Sequence, residues 1–485
     1  LSGLVGSEMC IRDRRCDTQA RPIPFIAETG GQNAMIVDAS ALVEHVVADV
    51  IQSAFDSAGQ RCSALRILCL QEEIADRTLH LLKGAMQELA IGNPDCLDTD
   101  VGPVIEEAAQ QAILAHIQAL ADQGCRVFQV ALPSSLARGT FVAPTLIEIP
   151  HLRLLTHEVF GPVVHVLRYR RDELGHVIDA INATGYGLTM GIHSRIDEVI
   201  DGIVSRATVG NTYVNRNVIG AVVGVQPFGG RGLSGTGPKA GGPLYLYRLL
   251  SQYPIHTLEP SVGAGRLSDM PQPQPARRQA VAEMYHDFKM LRSMSPIAQE
   301  KVHVFTVYRE WLKVQDKDWL SVLDEYYARM CQAVGPMTLV GPTGEQNIYI
   351  LLPRGTLLGI PTTARGARAI VAAALASGNR LILSGHEASR LFAQLPPLCQ
   401  AYITIVPDDA EAIGFDGVIC ELTAEQLPLL LSRMAERSEV IIPVQNIMPY
   451  ASERYFFHLE LLLHETVISI NTTAAGGNAS LMTLG

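Results

Sequence analysis

Helix-like and strand-like patterns alternate along most of this chain, and this alternation restricts the fold more than any other feature of the sequence. Apolar residues recur at helical spacing from Ala41 to Ser57, and the apolar run from Leu65 to Leu70 is typical of a strand. The alternation continues with helical patterns at Ile74 to Leu89, Ala108 to Ala121 and Glu173 to Ile181, and extended patterns at Arg126 to Ala131, Val163 to Leu167 and Thr208 to Val214. Repeated units of this kind predict an α/β fold.

A change of composition divides the chain into two such regions. Alternating proline and glutamine at residues 271–275 predict an extended stretch, which we interpret as part of a linker over residues 266–280. Beyond it, Arg278 to Leu323 is mostly helical in pattern, with Trp311 and Trp319 as expected core or interface anchors. Strands are then expected at Asn347 to Leu352, Arg380 to Leu383, Tyr402 to Val406, Gly417 to Cys420 and Glu439 to Pro443, and helices at Ala364 to Ala376 and Ala424 to Glu436. Residues 281–466 are therefore predicted to form a second, Rossmann-like α/β domain.

Charge and composition argue against several classes of function. The 485 residues carry a formal net charge of −11 and no long basic run, which argues against a nucleic-acid interface. No charge-free apolar run reaches the roughly 18 residues of a membrane span. Nine cysteines, an odd number without a CxxC pair, favour a reducing, cytoplasmic compartment over a disulfide framework. Because neither CxxC nor HExxH is present, no metal site is expected.

The two ends of the chain differ from the rest. The first residue is Leu1 rather than Met, and VGSEMCIRDR at residues 5–14 resembles a translated sequencing adapter, so residues 1–15 are set aside as a non-native segment. The chain is therefore expected to begin within a longer protein. Residues 467–485 are small and polar, so they must dock on another domain or stay mobile.

Two short segments carry residue types suited to covalent chemistry at a carbonyl group. One is ETGGQN at residues 28–33, and the other is GQRCS at residues 59–63. The thiolate of Cys62 can attack an aldehyde and form a thioester, and the carboxylate of Glu28, 34 residues earlier, can activate the water that hydrolyses it. Taken singly, the cysteine is more typical of a buried core position and the glutamate of a solvated surface. The prediction therefore depends on the pair and its neighbours.

Two other functions remain open from the residues alone. In a cysteine hydrolase, Cys62 would be paired with a histidine, and the candidates are His45, His157 and His193. In a non-enzymatic scaffold, both α/β domains would only support an assembly, and Cys62 would be a buried, inert thiol. The glycine pattern at residues 230–235 matches a dinucleotide fingerprint, but it follows no clear strand and is rejected as a cofactor site.

The pair and its neighbours resemble the active-site signature of the aldehyde dehydrogenases, Glu-x-Gly-Gly-x-Asn followed by Gly-Gln-x-Cys. EVFGP at residues 158–162, YVN at residues 213–215 and PFGG at residues 227–230 resemble further elements of the same family, in the same order. The resemblance implies that Cys62 is the catalytic nucleophile and Glu28 the catalytic base. It also implies that Glu158 binds the nicotinamide ribose of NAD and that Phe160 packs near the nicotinamide.

Finer detail resembles the proline utilization A subgroup, which acts on L-glutamate γ-semialdehyde. GLSGTGPKAGGP at residues 232–243 resembles the loop that binds the substrate's α-carboxylate in this subgroup. The resemblance nominates Ser234, Gly235 and Ser63, the residue after the nucleophile, as substrate-binding residues. A glycine-rich loop presents backbone N–H donors to an anion without side-chain obstruction; the alternative is a flexible surface loop. Residues 467–485 resemble a terminal lid or flap, and GPTGEQN at residues 341–347 resembles part of a degenerate, non-catalytic copy of the nucleotide-binding domain.

The resemblance also implies what lies outside this chain. The aldehyde dehydrogenase catalytic domain would occupy residues 16–265, and most of its NAD-binding domain would lie upstream. A proline dehydrogenase part, with its FAD, would lie further upstream in a bifunctional homo-oligomer that could associate peripherally with a membrane. In that protein, NAD-dependent oxidation of the semialdehyde to L-glutamate is the second step of proline catabolism. The present chain alone is expected not to turn over.

Overall fold

The structure is a computed structural model that describes most of the chain. The described residues are 25–136, 138–250, 296–319, 321–326, 336–406, 414–437, 440–447 and 456–473. The predicted non-native segment at residues 1–15, the predicted linker at residues 266–280 and residues 474–485 of the expected terminal flap lie outside them. The predicted helical stretch that begins at Arg278 is described only from residue 296.

The first part of the chain alternates strands and helices as the sequence predicts. Its strands are β1 (Ala34–Val37), β2 (Ile67–Gln71), β3 (Arg126–Gln129), β4 (Thr145–Ile149), β5 (Val163–Tyr169), β6 (Tyr186–Gly187), β7 (Thr189–His193), β8 (Asn211–Val214) and β9 (Arg231–Gly232). Its helices are α1 (Val43–Phe55), α2 (Glu72–Gln87), α3 (Glu107–Asp122), α4 (Leu174–Asn182), α5 (Asp197–Arg206) and α6 (Tyr245–Leu249). The α/β fold class is confirmed.

The second part continues the alternation. Its strands are β10 (Met337–Leu339), β11 (Glu345–Pro353), β12 (Thr356–Ile360), β13 (Arg380–Ser384), β14 (Ile403–Val406), β15 (Gly417–Glu421), β16 (Val444–Ile447) and β17 (Leu463–Asn471). Its helices are α7 (Pro296–Gln315), α8 (Ala364–Ala376), α9 (His386–Phe392), α10 (Pro397–Gln400) and α11 (Gln426–Arg437). The strand predicted to end at Pro443 is wrong, because β16 begins only after this proline, which has no N–H to donate to a strand ladder.

A ten-stranded sheet forms the centre of the first part. Its order is β10-β11-β17-β8-β7-β1-β2-β5-β4-β3, and the seven strands from β17 to β4 are parallel. Separate apolar clusters of buried residues cover its two faces. Parallel strands buried on both faces are near-continuously apolar, which is why they stand out in the sequence. None of the described helices combines the length and apolar character needed to cross a bilayer.

Three strands from the second part belong to this first sheet. The predicted strand Asn347 to Leu352 lies within β11, and its assignment to the second domain is corrected, because β11 pairs antiparallel with β17 along nine residues. In turn, β17 pairs in parallel with β8, from Val467 opposite Asn211 to Ile470 opposite Val214. Local pattern fixes a strand but not its partner, which here lies more than 100 residues away. Residues 467–471 thus dock on the first part as the end of β17.

The second sheet is Rossmann-like, as predicted. Its order is β14-β13-β12-β15-β16 with all strands parallel, so in chain order the strands run 3-2-1-4-5. The alanine-rich α8 is buried along most of its length and packs in the same apolar cluster as α7. Trp319 lies in this core and Trp311 packs at its margin, which confirms their predicted role as anchors.

Candidate active site

The turn that presents Cys62 contains three consecutive residues with left-handed backbone. Ser57, Ala58 and Gly59 follow α1 with φ angles of 55°, 52° and 66°. Non-glycine residues in this region are strained, and such strain is concentrated at functional sites. At Gly59 a Cβ would also lie 2.2 Å from the carbonyl oxygen of Gly161, so only glycine fits. The turn leaves Cys62 half-buried, before the amino-terminal end of β2.

Asn33 ties the backbone around the nucleophile to the centre of the sheet. Its Nδ2 donates to the carbonyl oxygens of Cys62 and Ala64 at 2.7 and 2.8 Å. Its Oδ1 accepts from the backbone N–H of Thr189, the first residue of β7, at 3.1 Å. The hydroxyl of Thr189 donates to the carbonyl oxygen of Ser63 at 3.4 Å. The buried Asn33 amide therefore holds residues 62–64 against two strands.

Glu28 lies against residues 226–243, which we call the glycine-rich loop. It forms an isolated antiparallel bridge with Gly235, and its Oε2 accepts from the backbone N–H of Gly230 at 3.0 Å. A Cβ at Gly229 would lie 2.6 Å from Oε1 of Glu28, and one at Gly235 would lie 3.0 Å from Oε2. The loop can approach the carboxylate this closely because glycine occupies both positions.

The electrostatics of Cys62 show which groups surround it. Burial raises the pKa of the Cys62 thiol, and the carboxylates of Glu158 and Glu28 raise it further. The structure therefore brings both the predicted base Glu28 and Glu158 within electrostatic reach of the predicted nucleophile. Because the thiolate is the reactive form, a positive charge bound beside Cys62 would favour the reaction.

Arg66 lies fully buried beside this group. Its guanidinium donates to Oε1 of Glu158 at 3.0 Å and to the carbonyl oxygens of Gly59 and Gly161 at 2.7 and 3.2 Å. The other carboxylate oxygen of Glu158, Oε2, accepts from the backbone N–H of Gly31 at 3.1 Å. Burial raises the pKa of the Glu158 carboxyl and lowers that of Arg66, and each charge offsets the shift of the other. A buried charge needs such a partner.

The residues predicted to hold NAD are compatible with a ribose and a nicotinamide. An ionised carboxylate offers about four acceptor positions, so Glu158 keeps acceptor capacity beyond its bonds to Arg66 and Gly31. Phe160 is half-buried, and the guanidinium carbon of Arg66 lies 5.2 Å from its ring centroid. Both candidate residues therefore lie on the segment that packs against the Cys62 turn.

Two of the predicted substrate-binding residues, Ser234 and Gly235, lie beside the Glu28 segment, and both predicted serines have buried side chains. Ser234 is fully buried, and its Oγ accepts from the backbone N–H of Gly187 at 3.0 Å. Ser63, next to the nucleophile, is 7% exposed. Gly235 pairs with Glu28 directly. The backbone N–H groups of Ser234 and Gly235 donate to the carbonyl oxygens of Arg231 and Gly232 at 3.1 and 3.5 Å, so these donors, like the Ser234 hydroxyl, are engaged within the structure.

The candidate histidines of the hydrolase alternative are placed elsewhere. His193 ends β7, whereas Thr189 at the start of this strand contacts the Cys62 segment, so four residues, or about 13 Å, separate the two. His45 lines a cavity of about 440 Å³ at the same far end of the sheet. His157 is exposed, and it contacts Thr156, Gln32 and His116. The geometry therefore gives this alternative no support.

Two residues of the site were missed by the sequence analysis. Asn33 lies inside the ETGGQN motif, and an amide side chain that closely follows two glycines is a signal for a role in binding backbone groups. Arg66 interrupts an otherwise apolar strand pattern, which predicts a buried charge but not its partner. Within the described parts of the chain, no group of three or more His, Cys, Asp or Glu residues could hold a metal ion.

Comparison with known proteins identifies the class of this chain. Residues 4–252 match the model of the Aldehyde dehydrogenase family. The chain is 47% identical over 478 residues to bifunctional protein PutA of Escherichia coli K12, which covers 97% of this chain and 34% of that protein. It is 36% identical over 223 residues to 1-pyrroline-5-carboxylate dehydrogenase of Bacillus mycoides, which covers 46% of this chain and 42% of that protein. This chain belongs to the aldehyde dehydrogenase family, whose members are oxidoreductases that use NAD(P).

The relatives also place the chain within a longer architecture. It spans about a third, 34%, of the length of the curated PutA relative from Escherichia coli. The solved structure of proline utilization A from Corynebacterium freiburgense matches 98% of this chain and 41% of its own, with a TM-score of 0.61 at 22% identity. At that identity the match supports the fold, including the second α/β region.

Proposed function

We propose that this chain is the catalytic part of a longer, bifunctional enzyme that oxidises L-glutamate γ-semialdehyde to L-glutamate with NAD, the second step of proline catabolism. One observation carries the proposal: Glu28 lies within electrostatic reach of Cys62 and pairs with the glycine-rich loop. The names of the relatives, bifunctional protein PutA and 1-pyrroline-5-carboxylate dehydrogenase, support the choice of substrate.

In the proposed mechanism, the Cys62 thiolate adds to the aldehyde carbon and forms a thiohemiacetal. When bound, NAD would supply the hydride acceptor, and Glu158 and Phe160 would hold its ribose and nicotinamide end. Loss of the hydride leaves a thioester on Cys62. Glu28 then takes a proton from water as the water attacks the thioester carbon, and the Cys62 sulfur leaves as glutamate is released.

We propose that the glycine-rich loop selects the substrate by its α-carboxylate. The donors would be the backbone N–H groups of Ser234 and Gly235, which would exchange their bonds to Arg231 and Gly232 for the carboxylate, together with Ser63. The pairing of Gly235 with Glu28 supports this placement, because it positions the loop beside the base. The buried Ser234 hydroxyl, which accepts from Gly187, would keep the loop in shape.

We propose that the second α/β region, predicted at residues 281–466 and built on the sheet of β12 to β16, does not bind a nucleotide. In a sheet of this order, ligands bind at the carboxyl ends of the strands, next to the helix that follows the first strand. Here Glu421, at the end of β15, fills that place: its Oε2 accepts from the backbone N–H groups of Thr362 and Thr363 at 2.9 and 2.7 Å, before α8. A carboxylate at a helix N-terminus occupies the site where a phosphate would bind.

The longer protein would supply the further domains that the proposed activity requires. We propose that its NAD-binding domain and an FAD-dependent proline dehydrogenase part precede the catalytic domain at residues 16–265. We also propose that the whole protein is a cytoplasmic homo-oligomer. The flap predicted at residues 467–485 does not include residues 467–471, because these form the end of β17.

The proposed activity is tested by substrate discrimination in the full-length protein. With NAD, NADH formation should be at least about 10²-fold faster, as kcat/KM, for L-glutamate γ-semialdehyde than for pentanal, which lacks the carboxylate. Replacement of Cys62 by alanine should abolish both reactions. Equal kcat/KM values for the two aldehydes would refute the proposed substrate, and activity of the Cys62→Ala variant would refute the mechanism.

The scaffold alternative is kept because the pKa of the Cys62 thiol is raised. The chain contains two internal standards for its reactivity. Cys69 is fully buried, and burial raises its pKa to about 12, whereas Cys96 is exposed. If Cys62 is alkylated as slowly as Cys69, the scaffold is favoured; a rate nearer that of Cys96 supports the enzyme.

A further inference from the structure

The side chain of Glu465 on β17 lies beneath the glycine-rich loop. Its Oε2 accepts from the backbone N–H of Lys239 at 2.7 Å, and its Oε1 accepts from the hydroxyl of Tyr349 at 2.8 Å. Tyr349 lies on the neighbouring strand β11, and both side chains are buried. The strand pair β11–β17, contributed by the second part of the chain, therefore fixes a carboxylate against the C-terminal part of the loop.

The side chain of Lys239 continues this arrangement toward the base. It is 2% exposed, and its Nζ donates to Oδ1 of Asn211 at 2.6 Å and to the carbonyl oxygen of Gly229. Burial lowers the pKa of the Lys239 ammonium, and the carboxylates of Glu465 and Glu28 oppose that drop. The two carboxylates are thus the charges that compensate this buried cation.

One peptide group separates Lys239 from Glu28. Its carbonyl oxygen, on Gly229, accepts from the Lys239 ammonium, and its N–H, on Gly230, donates to Oε2 of Glu28 at 3.0 Å. The two ends of a planar trans peptide point in opposite directions, so the cation and the carboxylate lie on opposite sides of it. An ammonium on the carbonyl polarises the peptide and strengthens the hydrogen bond made by its N–H.

We propose that Lys239, held by Glu465, positions Glu28 through the peptide group between Gly229 and Gly230. This inference rests on the proposed function, in which Glu28 is the base. Lys239 and Glu465 are positioning residues, because neither is placed against the reacting atoms. Their effect should fall on hydrolysis of the thioester, which needs Glu28, and not on formation of the thioester.

The test separates these two steps in the full-length protein. Rapid mixing with NAD and L-glutamate γ-semialdehyde should give a burst of NADH, from thioester formation, followed by a steady rate set by hydrolysis. In the Lys239→Met variant the burst should remain, and the steady rate should fall about 10²-fold. The Glu465→Gln variant should show a smaller fall of the same kind. On the Lys239→Met background, Glu465→Gln should add little, because its effect passes through Lys239.

A matched control and a second measurement guard against simple misfolding. Glu421→Gln also alters a fully buried carboxylate that accepts backbone N–H groups, but it lies in the second sheet, so both phases should be unchanged. Hydrogen exchange of the Gly230 amide should be about tenfold faster in Lys239→Met, with the amides of β1 unaffected.

Two results would overturn the positioning role. One is a burst and a steady rate that fall together in Lys239→Met, and the other is Gly230 exchange that does not change. An unsubstituted protein that forms no NADH would instead refute the proposed function, and with it the catalytic role of Lys239. In that case the exchange of the Gly230 amide would still show whether the contact exists.

Discussion

Replacing Arg66 by methionine should destabilise the chain more than any surface substitution. The Arg66 and Glu158 side chains are 0% and 6% exposed, so loss of the guanidinium leaves a buried carboxylate without its cation. Removing one partner of a buried ion pair costs about 3–5 kcal/mol. The carbonyl oxygens of Gly59 and Gly161 also lose a charged donor. We therefore expect a loss of at least about 4 kcal/mol in the free energy of unfolding.

Urea denaturation of the 485-residue chain at pH 7 measures this loss as a shift of the midpoint. The Arg170→Met substitution is the control, because Arg170 pairs with Asp172 on the surface, where the two side chains are 60% and 66% exposed. Its midpoint should hardly change. Adding Glu158→Gln to Arg66→Met should restore part of the stability, since this site then holds no buried charge without a partner.

The stability lost in the Arg66→Met variant should depend on pH. Burial already raises the pKa of Glu158, and loss of Arg66 should raise it further. A carboxyl whose folded-state pKa is raised contributes stability that is present below its unfolded pKa and is lost as the pH rises through the folded value. The Arg66→Met variant should therefore lose less stability near pH 5 than at pH 7. A variant that matches the unsubstituted chain in stability at pH 7 would refute the buried ion pair.

Three further substitutions test local features by urea denaturation. Gly59→Ala should lower the free energy of unfolding by at least about 2 kcal/mol, because the left-handed backbone and the carbonyl oxygen 2.2 Å from the new Cβ oppose it. Its control, Gly84→Ala in the open interior of α2, should raise the free energy of unfolding by about 0.5–1 kcal/mol. Similar effects of the two substitutions would contradict the strained turn at Gly59. Asn33→Ala should cost about 2–4 kcal/mol for its three hydrogen bonds, and a loss below about 1 kcal/mol would show that they contribute little. Burial lowers the pKa of His165 to about 3, so the stability that neutral His165 contributes is present above pH 6.5 and is lost as the pH falls. From pH 7 to pH 5 the free energy of unfolding should fall by about 2 kcal/mol in the unsubstituted chain, a loss that His165→Phe should not show. The same pH dependence in both proteins would contradict a lowered pKa for His165.

The sequence predicts the elements of the fold better than their arrangement. Helix α8 is predicted at both of its ends, because its alanine-rich pattern is local. In contrast, β11 reads as one more strand of the second domain, since a strand pattern gives the face but not the partner. Its pairing with β17 joins residues that are far apart in the chain, and through β17 the second part completes the first sheet.

In the candidate site too, residues that belong to a short motif could be predicted, whereas their partners from distant parts of the chain could not. Glu28 and Cys62 are predictable because their motif neighbours lie within a few residues of them. The partners that hold them come from distant segments: Glu158 reaches Arg66 across 92 residues, and Glu465 reaches Lys239 across 226 residues. A buried arginine predicts that some carboxylate must meet it, but only the folded chain shows which one.

The most direct test of the central claim is to trap the covalent intermediate on the nucleophile. The Glu28→Gln variant of the full-length protein, mixed with NAD and L-glutamate γ-semialdehyde and quenched in acid, should be digested and analysed by mass spectrometry. The account predicts a glutamyl thioester on the peptide that contains Cys62, in an amount that matches the NADH formed. NADH formation with an unmodified Cys62 peptide, or with the adduct on another cysteine, would contradict it.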